Sequence, residues 1–223
     1  MTTKLFIQAM TKYLAGVVLV GLLLFLPAGT FDYWEAWLFI GILFLPMFVA
    51  GIILMVRNPE LLRKRLNAKE EQNEQKAVVL ISGLLFLSMF IVAGLNRRFM
   101  WYMMPDWAVY VATAVFLIGY ALYAEVLREN VWLSRTIEVQ EEQQVIDTGL
   151  YGIVRHPMYS ATLLLFLAMP LVLNSVWSFA IMLLYVPVIV KRIRNEEVVL
   201  EQGLAGYGEY MQRVKYRLIP FVW

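Results

Sequence analysis

Five long apolar runs constrain the fold of this 223-residue chain more than any other feature. Each is long enough to cross a lipid bilayer as a helix, since about 20 apolar residues span the ~30 Å hydrocarbon core. Hydrophobic residues make up 61% of the chain, whereas an ordinary soluble domain is about 45–50% apolar. The pattern predicts an all-α integral membrane protein. The runs fall at about 11–28, 34–56, 77–95, 107–127 and 158–190.

The last of these runs, 158–190, carries no charge over thirty-three residues. It is too long for one span, because a helix rises ~1.5 Å per residue. Asn174 and Ser175 near its middle form a turn dipeptide. We therefore predict a hairpin of two short helices, 157–173 and 176–192.

With this hairpin, the runs predict a single membrane domain, 1–223, with about six transmembrane helices. Residues 1–127 supply four N-terminal spans, and 128–223 supply a loop, the helical hairpin and a helical tail. The basic start and the apolar first run resemble a signal peptide, but no small-residue cleavage site precedes the polar turn. We expect the first run to be retained as a span.

Lysine and arginine are distributed very unequally between the loops. If successive spans alternate in direction, seventeen of these residues fall on one side of the membrane and two, Arg97 and Arg98, on the other. Because cytoplasmic loops carry the excess of Lys and Arg, the N-terminus and the C-terminus are both predicted to be cytoplasmic. The segment 148–160 and the tail after the hairpin then lie on that same side.

The most basic loop, 57–76, predicts a short helix at the membrane surface. Asn58 is placed to cap this helix and Pro59 to occupy its first position. Anchoring to anionic lipid headgroups is the expected role, and contact with the functional residues is left open. The basic residues of the loop are Arg57, Arg63, Lys64, Arg65, Lys69 and Lys76.

Composition argues against several classes of function. The chain has no cysteine and one histidine, His156, so a zinc, haem or other metal site is not expected. A net charge of +2 without a basic block interleaved with aromatics argues against nucleic acid as a partner. The first three spans hold no ionisable group in their central portions, which argues against a proton-coupled transporter or an ion channel. Chemistry is therefore expected at the cytoplasmic membrane surface.

The first polar cluster there is TGLYGIVRHPMYS, residues 148–160. Pro157 fits the first turn of a helix, and His156 before it favours extended backbone. We expect the backbone N–H groups around 155–157 to be free to meet a ligand. In the alternative reading, Arg155 and His156 only reach lipid headgroups.

The second cluster is KRIRNEEVVLEQ, residues 191–202. If the helix continues through it, Arg192 and Glu196 lie one turn apart; the alternative is a charged helix end with ordinary salt bridges. The two clusters meet at the feet of the hairpin, where their arginine, histidine, carboxylates and N–H groups suit a zwitterion carrying an amine and a carboxylate. The tail with Tyr207 and Tyr210 either lies on the membrane or folds back as a lid.

These motifs together resemble one family. GLYGIVRHPMY, the hairpin with its mid-turn asparagine, RIRNEE and YGEY…IPF are similar to the isoprenylcysteine carboxyl methyltransferase family and its membrane phospholipid methyltransferase relatives, over about 130–223. The resemblance implies methyl transfer from S-adenosylmethionine, at the cytoplasmic membrane face, to a lipid-like or prenylated acceptor. It implies that Arg192 faces the acceptor group, with Arg155 nearby; we expect catalytic roles for these two residues and for Glu197. It also implies that the cofactor is bound by Gln140, Gln143, Val145, Ile146, Gly149, Tyr151, His156, Pro157, Met158, Tyr159 and Glu196.

The acceptor is less constrained than the cofactor, since the prenylcysteine enzymes carry a histidine where this chain has Gln143. Methyl transfer depends on positioning the reactants and excluding water. A carboxylate oriented by Arg192 or Arg155 needs no general base, so we expect carboxyl O-methylation of an isoprenylcysteine-type substrate. An amine would need a base, for which Glu197 is available.

Three other functions stay open at this point. They are a phospholipid (ethanolamine) N-methyltransferase, a sterol-type reductase and a non-catalytic lipid-binding or scaffold protein. The reductase ranks lower because the chain offers no arginine pair suited to a nucleotide 2′-phosphate. The sequence leaves the oligomeric state and the particular membrane open.

Overall fold

A computed structural model describes residues 2–66, 73–134, 137 and 139–223. Two basic residues counted above, Lys69 and Arg135, lie outside these ranges. The described chain is helical and has no strand, which confirms the predicted all-α class. Its α-helices are α1 (Thr2–Ala28), α2 (Trp34–Arg57), α3 (Pro59–Leu66), α4 (Asn73–Phe99), α5 (Asp106–Glu129), α6 (Pro157–Val172), α7 (Val176–Leu183), α8 (Tyr185–Gly203) and α9 (Tyr207–Arg213).

Five segments of the described chain are long and apolar enough to cross a membrane. Four of them are α1, α2, α4 and α5, and the fifth is α7 with α8, Val176–Gly203. The sixteen-residue α6 is apolar but shorter, and it rises only ~24 Å. The predicted bundle of about six helices is thus five full-length spans and one short helix, and the chain is an integral membrane protein.

The second arm of the hairpin is interrupted, where the sequence predicted one helix over 176–192. α7 ends at Leu183, and α8 begins at Tyr185. Pro187 explains the break, because a proline inside a helix lacks an N–H donor and its ring clashes with the carbonyl four residues earlier, here that of Leu183.

The predicted end of this arm at residue 192 is also wrong, because α8 continues to Gly203. The additional residues include Glu197, which is buried and paired, so the charged stretch is packed rather than frayed. The helix ends where a loop crosses it closely. A Cβ atom on Gly203 would lie 2.9 Å from Val139 Cγ2, so only glycine fits there without a shift.

The turn of the hairpin is buried and held by hydrogen bonds. Asn174 adopts a left-handed conformation with φ 57° and is 2% exposed, as its place in a turn predicts. Its Nδ2 donates to Glu35 Oε1 at 3.1 Å, and its Oδ1 accepts from the Met104 N–H at 2.6 Å. Asn96 Nδ2 donates to the Asn174 carbonyl at 3.0 Å. One asparagine therefore joins the hairpin to α2, to α4 and to the loop before α5.

The opposite end of the bundle collects the predicted functional residues. There α2, α5 and α8 end, and α6 begins, so we call it the polar end. As predicted, Asn58 caps α3, its Oδ1 accepting from the Leu61 N–H at 3.1 Å. Leu61 and Leu62 are buried, so α3 packs into the protein at the polar end and does not merely rest on headgroups.

We expect Asn174→Ala to lower the free energy of unfolding by about 2–3 kcal/mol, because it leaves buried partners without hydrogen bonds. Chemical denaturation in mixed detergent micelles measures this change. Ser82→Ala is the control, since among the described residues the bond of the Ser82 hydroxyl is to the Val78 carbonyl within its own helix. Equal effects of the two substitutions would contradict the role assigned to Asn174.

Candidate active site at the polar end of the bundle

A single carboxylate joins three separate segments at the polar end. Glu197 of α8 accepts at Oε1 from Arg155 Nε at 2.8 Å and faces His156 Nε2 at 3.2 Å. Its other oxygen, Oε2, accepts from Arg217 Nε at 2.7 Å. The Arg155 and Glu197 side chains are each 7% exposed. Both feet of the hairpin and the C-terminal tail therefore meet at Glu197.

The start of α6 has the predicted local structure but not the predicted free donors. Pro157 occupies the first turn of α6, with His156 just before it. The Arg155 N–H, however, donates to the Tyr216 carbonyl, and the His156 N–H donates to the Arg217 carbonyl, both at 2.9 Å. The expectation that these N–H groups are free for a ligand is wrong, because the tail satisfies them.

The tail is packed against the site, as in the lid interpretation. Tyr207 and Tyr210 of α9 are 4% and 1% exposed, and the Tyr210 hydroxyl donates to the Tyr151 carbonyl at 2.8 Å. Further along, the Ser160 hydroxyl donates to the Leu218 carbonyl at 2.7 Å. The alternative of an amphipathic tail lying apart on the membrane is therefore not what the fold adopts.

A pocket lies between the loop after α5, the start of α6, the end of α8, and α9. Its empty volume is about 780 Å³, including space open to solvent. Most residues implied in cofactor binding line it together. These are Gln143, Val145, Ile146, Tyr151, His156, Met158, Tyr159 and Glu196.

Three residues implied in cofactor binding do not line the pocket. Gln140 instead braces the loop, because its Nε2 donates to the Trp132 carbonyl at 2.7 Å. Gly149 packs against the Glu129 carboxylate at a φ of 49°, where a Cβ would lie 2.2 Å from Oε1. Pro157 begins α6. All three lie close by and shape the wall.

The residues implied in catalysis differ in position. Arg155 lines the pocket, but its guanidinium bonds Glu197 and the carbonyls of Met211 and Val214. Glu197 lies behind the wall in that ion pair. Arg192 is also outside the lining residues, and its Nε donates to the Tyr159 hydroxyl at 3.0 Å. That hydroxyl in turn donates to Glu196 Oε2, so Arg192 reaches the pocket through Tyr159.

Several lining residues have no signal in the sequence. The loop after α5 contributes Asn130 and Trp132, and the end of α8 contributes Leu200 and Leu204. Such residues are common in loops and helices, so their place in the pocket is identified by the fold and not by the sequence. Arg217, which donates to Glu197, is one of several basic residues in the tail, and nothing in the sequence distinguishes it from the others.

Two tyrosine hydroxyls in the pocket are protonated donors. Burial raises the pKa of the Tyr207 and Tyr151 hydroxyls well above the usual range, and the nearby Glu197 and Glu196 raise that of Tyr207 further. The Tyr151 oxygen accepts from Asn130 Nδ2 at 2.8 Å. The buried Tyr207 oxygen makes no hydrogen bond within the described residues. Because buried hydroxyls normally find partners, the Tyr207 hydroxyl is a candidate to bond water or a ligand in this pocket.

Residues 107–205 match the phospholipid methyltransferase family. The match covers less than half of the chain, and it includes the loop after α5, the hairpin and Glu197 but not α9. The chain is also 33% identical over 91 residues to the Delta(14)-sterol reductase of Mus musculus. That similarity covers 40% of this chain and 22% of the mouse protein. The narrower resemblance to the isoprenylcysteine enzymes stays a prediction.

Removal of the Glu197 carboxylate tests its bridging role. We expect Glu197→Ala to lower the free energy of unfolding by about 3–5 kcal/mol, because Arg155 is left buried without its counter-charge. Denaturation in mixed micelles measures the loss. Glu201→Ala is the matched control, one turn later on the same helix and exposed. A loss no larger than in this control would refute the bridging role.

Proposed function

We propose that this chain is a membrane methyltransferase that uses S-adenosylmethionine and acts on an amphiphilic acceptor entering from the bilayer. The observation that carries the proposal is the pocket at the polar end, which combines the Glu196 carboxylate with the unpartnered Tyr207 hydroxyl. The match of residues 107–205 to the phospholipid methyltransferase family supports the same class of reaction.

The residues present fit this cofactor. S-adenosylmethionine supplies, when bound, a methyl group on a cationic sulfonium that a nucleophilic oxygen or nitrogen can displace. Glu196 accepts a hydrogen bond from Tyr159 and retains acceptor capacity for an ammonium group. The aromatic side chains of Trp132 and Tyr151 offer surfaces for a purine. The Tyr207 hydroxyl is available to donate to a carboxylate or a ribose oxygen.

The charge of the pocket favours this cofactor over a nicotinamide dinucleotide, the candidate suggested by the similarity to the mouse sterol reductase. A dinucleotide carries several phosphate charges and calls for cationic side chains. Among the described lining residues the basic side chains are Arg155 and His156, and both already face Glu197. Glu196 would repel phosphates. We therefore place the reductase second.

The acceptor that the site favours is a carboxylate. An amine must lose a proton to a base, but Glu197 is held by Arg155, His156 and Arg217. Glu196 is the acid among the described lining residues, and one of its oxygens already accepts from Tyr159. We infer carboxyl O-methylation of an isoprenylcysteine-type lipid, with Arg192 on the acceptor side. Phospholipid N-methylation is the second candidate, because the matching family model is that of phospholipid methyltransferases.

We propose that the pocket faces the cytoplasm. The helices place the ends of α2, α5 and α8 together at the polar end, which also carries most of the lysines and arginines. Positively charged loops favour the cytoplasm, where the methyl donor would be available.

Binding of the cofactor product tests the proposal directly. Titration of the purified chain with S-adenosylhomocysteine is expected to saturate in the micromolar range. Glu196→Gln should weaken binding about 10-fold or more and Tyr207→Phe about fivefold, by loss of a charged and of a neutral hydrogen bond. His156→Ala should also weaken it, whereas the exposed Glu201→Gln should not. Absence of saturable binding by the unaltered chain, or preferential binding of a nicotinamide dinucleotide, would overturn the proposal.

The acceptor is identified by the chemistry of the product. With a labelled methyl donor, we expect label transfer to a prenylated cysteine acid and release of that label as methanol on mild base treatment, as an ester requires. Label that resists base and resides in an ethanolamine lipid would instead establish N-methylation. Arg192→Ala is expected to lower turnover of the acceptor with little change in S-adenosylhomocysteine binding.

A further inference from the structure

We propose that Lys64 and Arg65 of α3 are positioning residues that hold the wall of the pocket in its binding shape. α3 lies far from the pocket in sequence and outside the region matched by the family model. The identity of the ligand rests on the proposed function, but the bracing of the wall does not.

Arg65 connects three segments that surround the pocket. One guanidinium nitrogen donates to the Ser134 carbonyl at 3.2 Å and lies 4.0 Å from Met158 Sδ. The other donates to the Tyr123 hydroxyl of α5, over whose ring the guanidinium lies. Ser134 and Met158 both line the pocket. Arg65 therefore links the loop after α5 to the first turn of α6.

Lys64 holds the other part of the same loop. Its Nζ donates to Gln140 Oε1 and lies 5.4 Å from the centre of the Trp132 ring. Gln140 links Lys64 to two further residues of the loop. Its Nε2 donates to the Trp132 carbonyl, and its backbone N–H donates to Gln143 Oε1 at 2.9 Å. Trp132 and Gln143 are both lining residues.

Apolar packing fixes α3 against the same wall. Leu61 is 2% exposed and lies in a small core with Val126, Leu133 and Tyr151. Residues 61, 64 and 65 share one helix face, since positions three and four apart are neighbours on a helix. This face points to the pocket wall. The packing of Leu61 holds the helix there, and Lys64 and Arg65 add polar contacts to the same wall.

The opposite face of α3 provides a contrast within the same helix. The side chain of Arg63 is 50% exposed and forms an ion pair with Glu60 on the helix itself. Headgroup anchoring is suited to Arg63, whereas Lys64 and Arg65 contact the protein. The three neighbouring cations can therefore be separated by single substitutions that remove the same charge.

The test compares Lys64→Met, Arg65→Met and the control Arg63→Met in the full chain reconstituted in lipid nanodiscs. Hydrogen exchange of the amides in 139–146 reports the loop without any ligand. We expect exchange about tenfold faster in Lys64→Met and Arg65→Met, equivalent to ~1.4 kcal/mol, and unchanged exchange in Arg63→Met. Lys64→Arg should restore slow exchange, because arginine keeps the cation over Trp132 and the donor to Gln140.

Calorimetric titration with S-adenosylhomocysteine separates positioning from loss of fold. Positioning predicts a dissociation constant raised about 5–10-fold in Lys64→Met and Arg65→Met, with an unchanged number of sites per chain. General misfolding would lower the number of sites and leave the dissociation constant of the remaining molecules unaltered, which would overturn the proposal.

The hydrogen-exchange and calorimetric experiments also distinguish this proposal from the proposed function. If the unaltered chain does not bind S-adenosylhomocysteine, the proposed function fails, and hydrogen exchange alone decides the role of α3. If exchange in 139–146 is the same in all three methionine variants, the positioning role is overturned whatever the chain binds.

Discussion

The buried carboxylate of Glu197 is the interaction on which the polar end depends. A charge placed where water is excluded is costly unless hydrogen-bonded opposite charges surround it. Glu197 meets this requirement with Arg155 and Arg217, and His156 lies beside it, so its partners come from two segments, the start of α6 and the tail. Each partner also fixes backbone nearby, so the requirement of one side chain organises the start of α6, the end of α8 and the tail together.

Both ends of the bundle bury polar groups, and each end satisfies them with a different kind of interaction. At the hairpin turn, Asn174 uses its amide to satisfy groups from α2, α4 and the loop before α5. At the polar end, the ion pairs of Glu197 with Arg155 and Arg217 satisfy the buried charges. The tail carbonyls there accept from the N–H groups of Arg155 and His156. Irregular backbone near a membrane is tolerated only where the protein satisfies it internally. α6 is thereby fixed at both of its ends, which gives the pocket a rigid wall despite the shortness of this helix.

Local patterns predicted most of the architecture, and non-local pairings account for what they missed. The apolar runs, the Asn174 turn, the Asn58 cap and Pro157 at a helix start depend on neighbouring residues, and the structure contains all of them. The free N–H groups expected around 155–157 depend on what packs there, and a tail some sixty residues away satisfies them. The break after Leu183 was readable from Pro187, since proline acts on the carbonyl four residues before it. The role of Arg217 was not readable, because an arginine in a basic tail gives no sign of its partner.

The division between matched and unmatched sequence has a physical consequence for specificity. Residues 107–205, which match the family model, contain most of the pocket lining. Tyr207 and Arg217 come from the tail, and Lys64 and Arg65 come from α3, all outside that region. These outer segments contact the pocket from two sides, one closing over it and the other bracing its loop. α3 contacts the wall without lining the pocket, whereas α9 adds the Tyr207 hydroxyl to it, so segments outside the matched region contribute both support and a polar group to the pocket. This arrangement explains how a family match over part of the chain is compatible with an acceptor that the match does not specify.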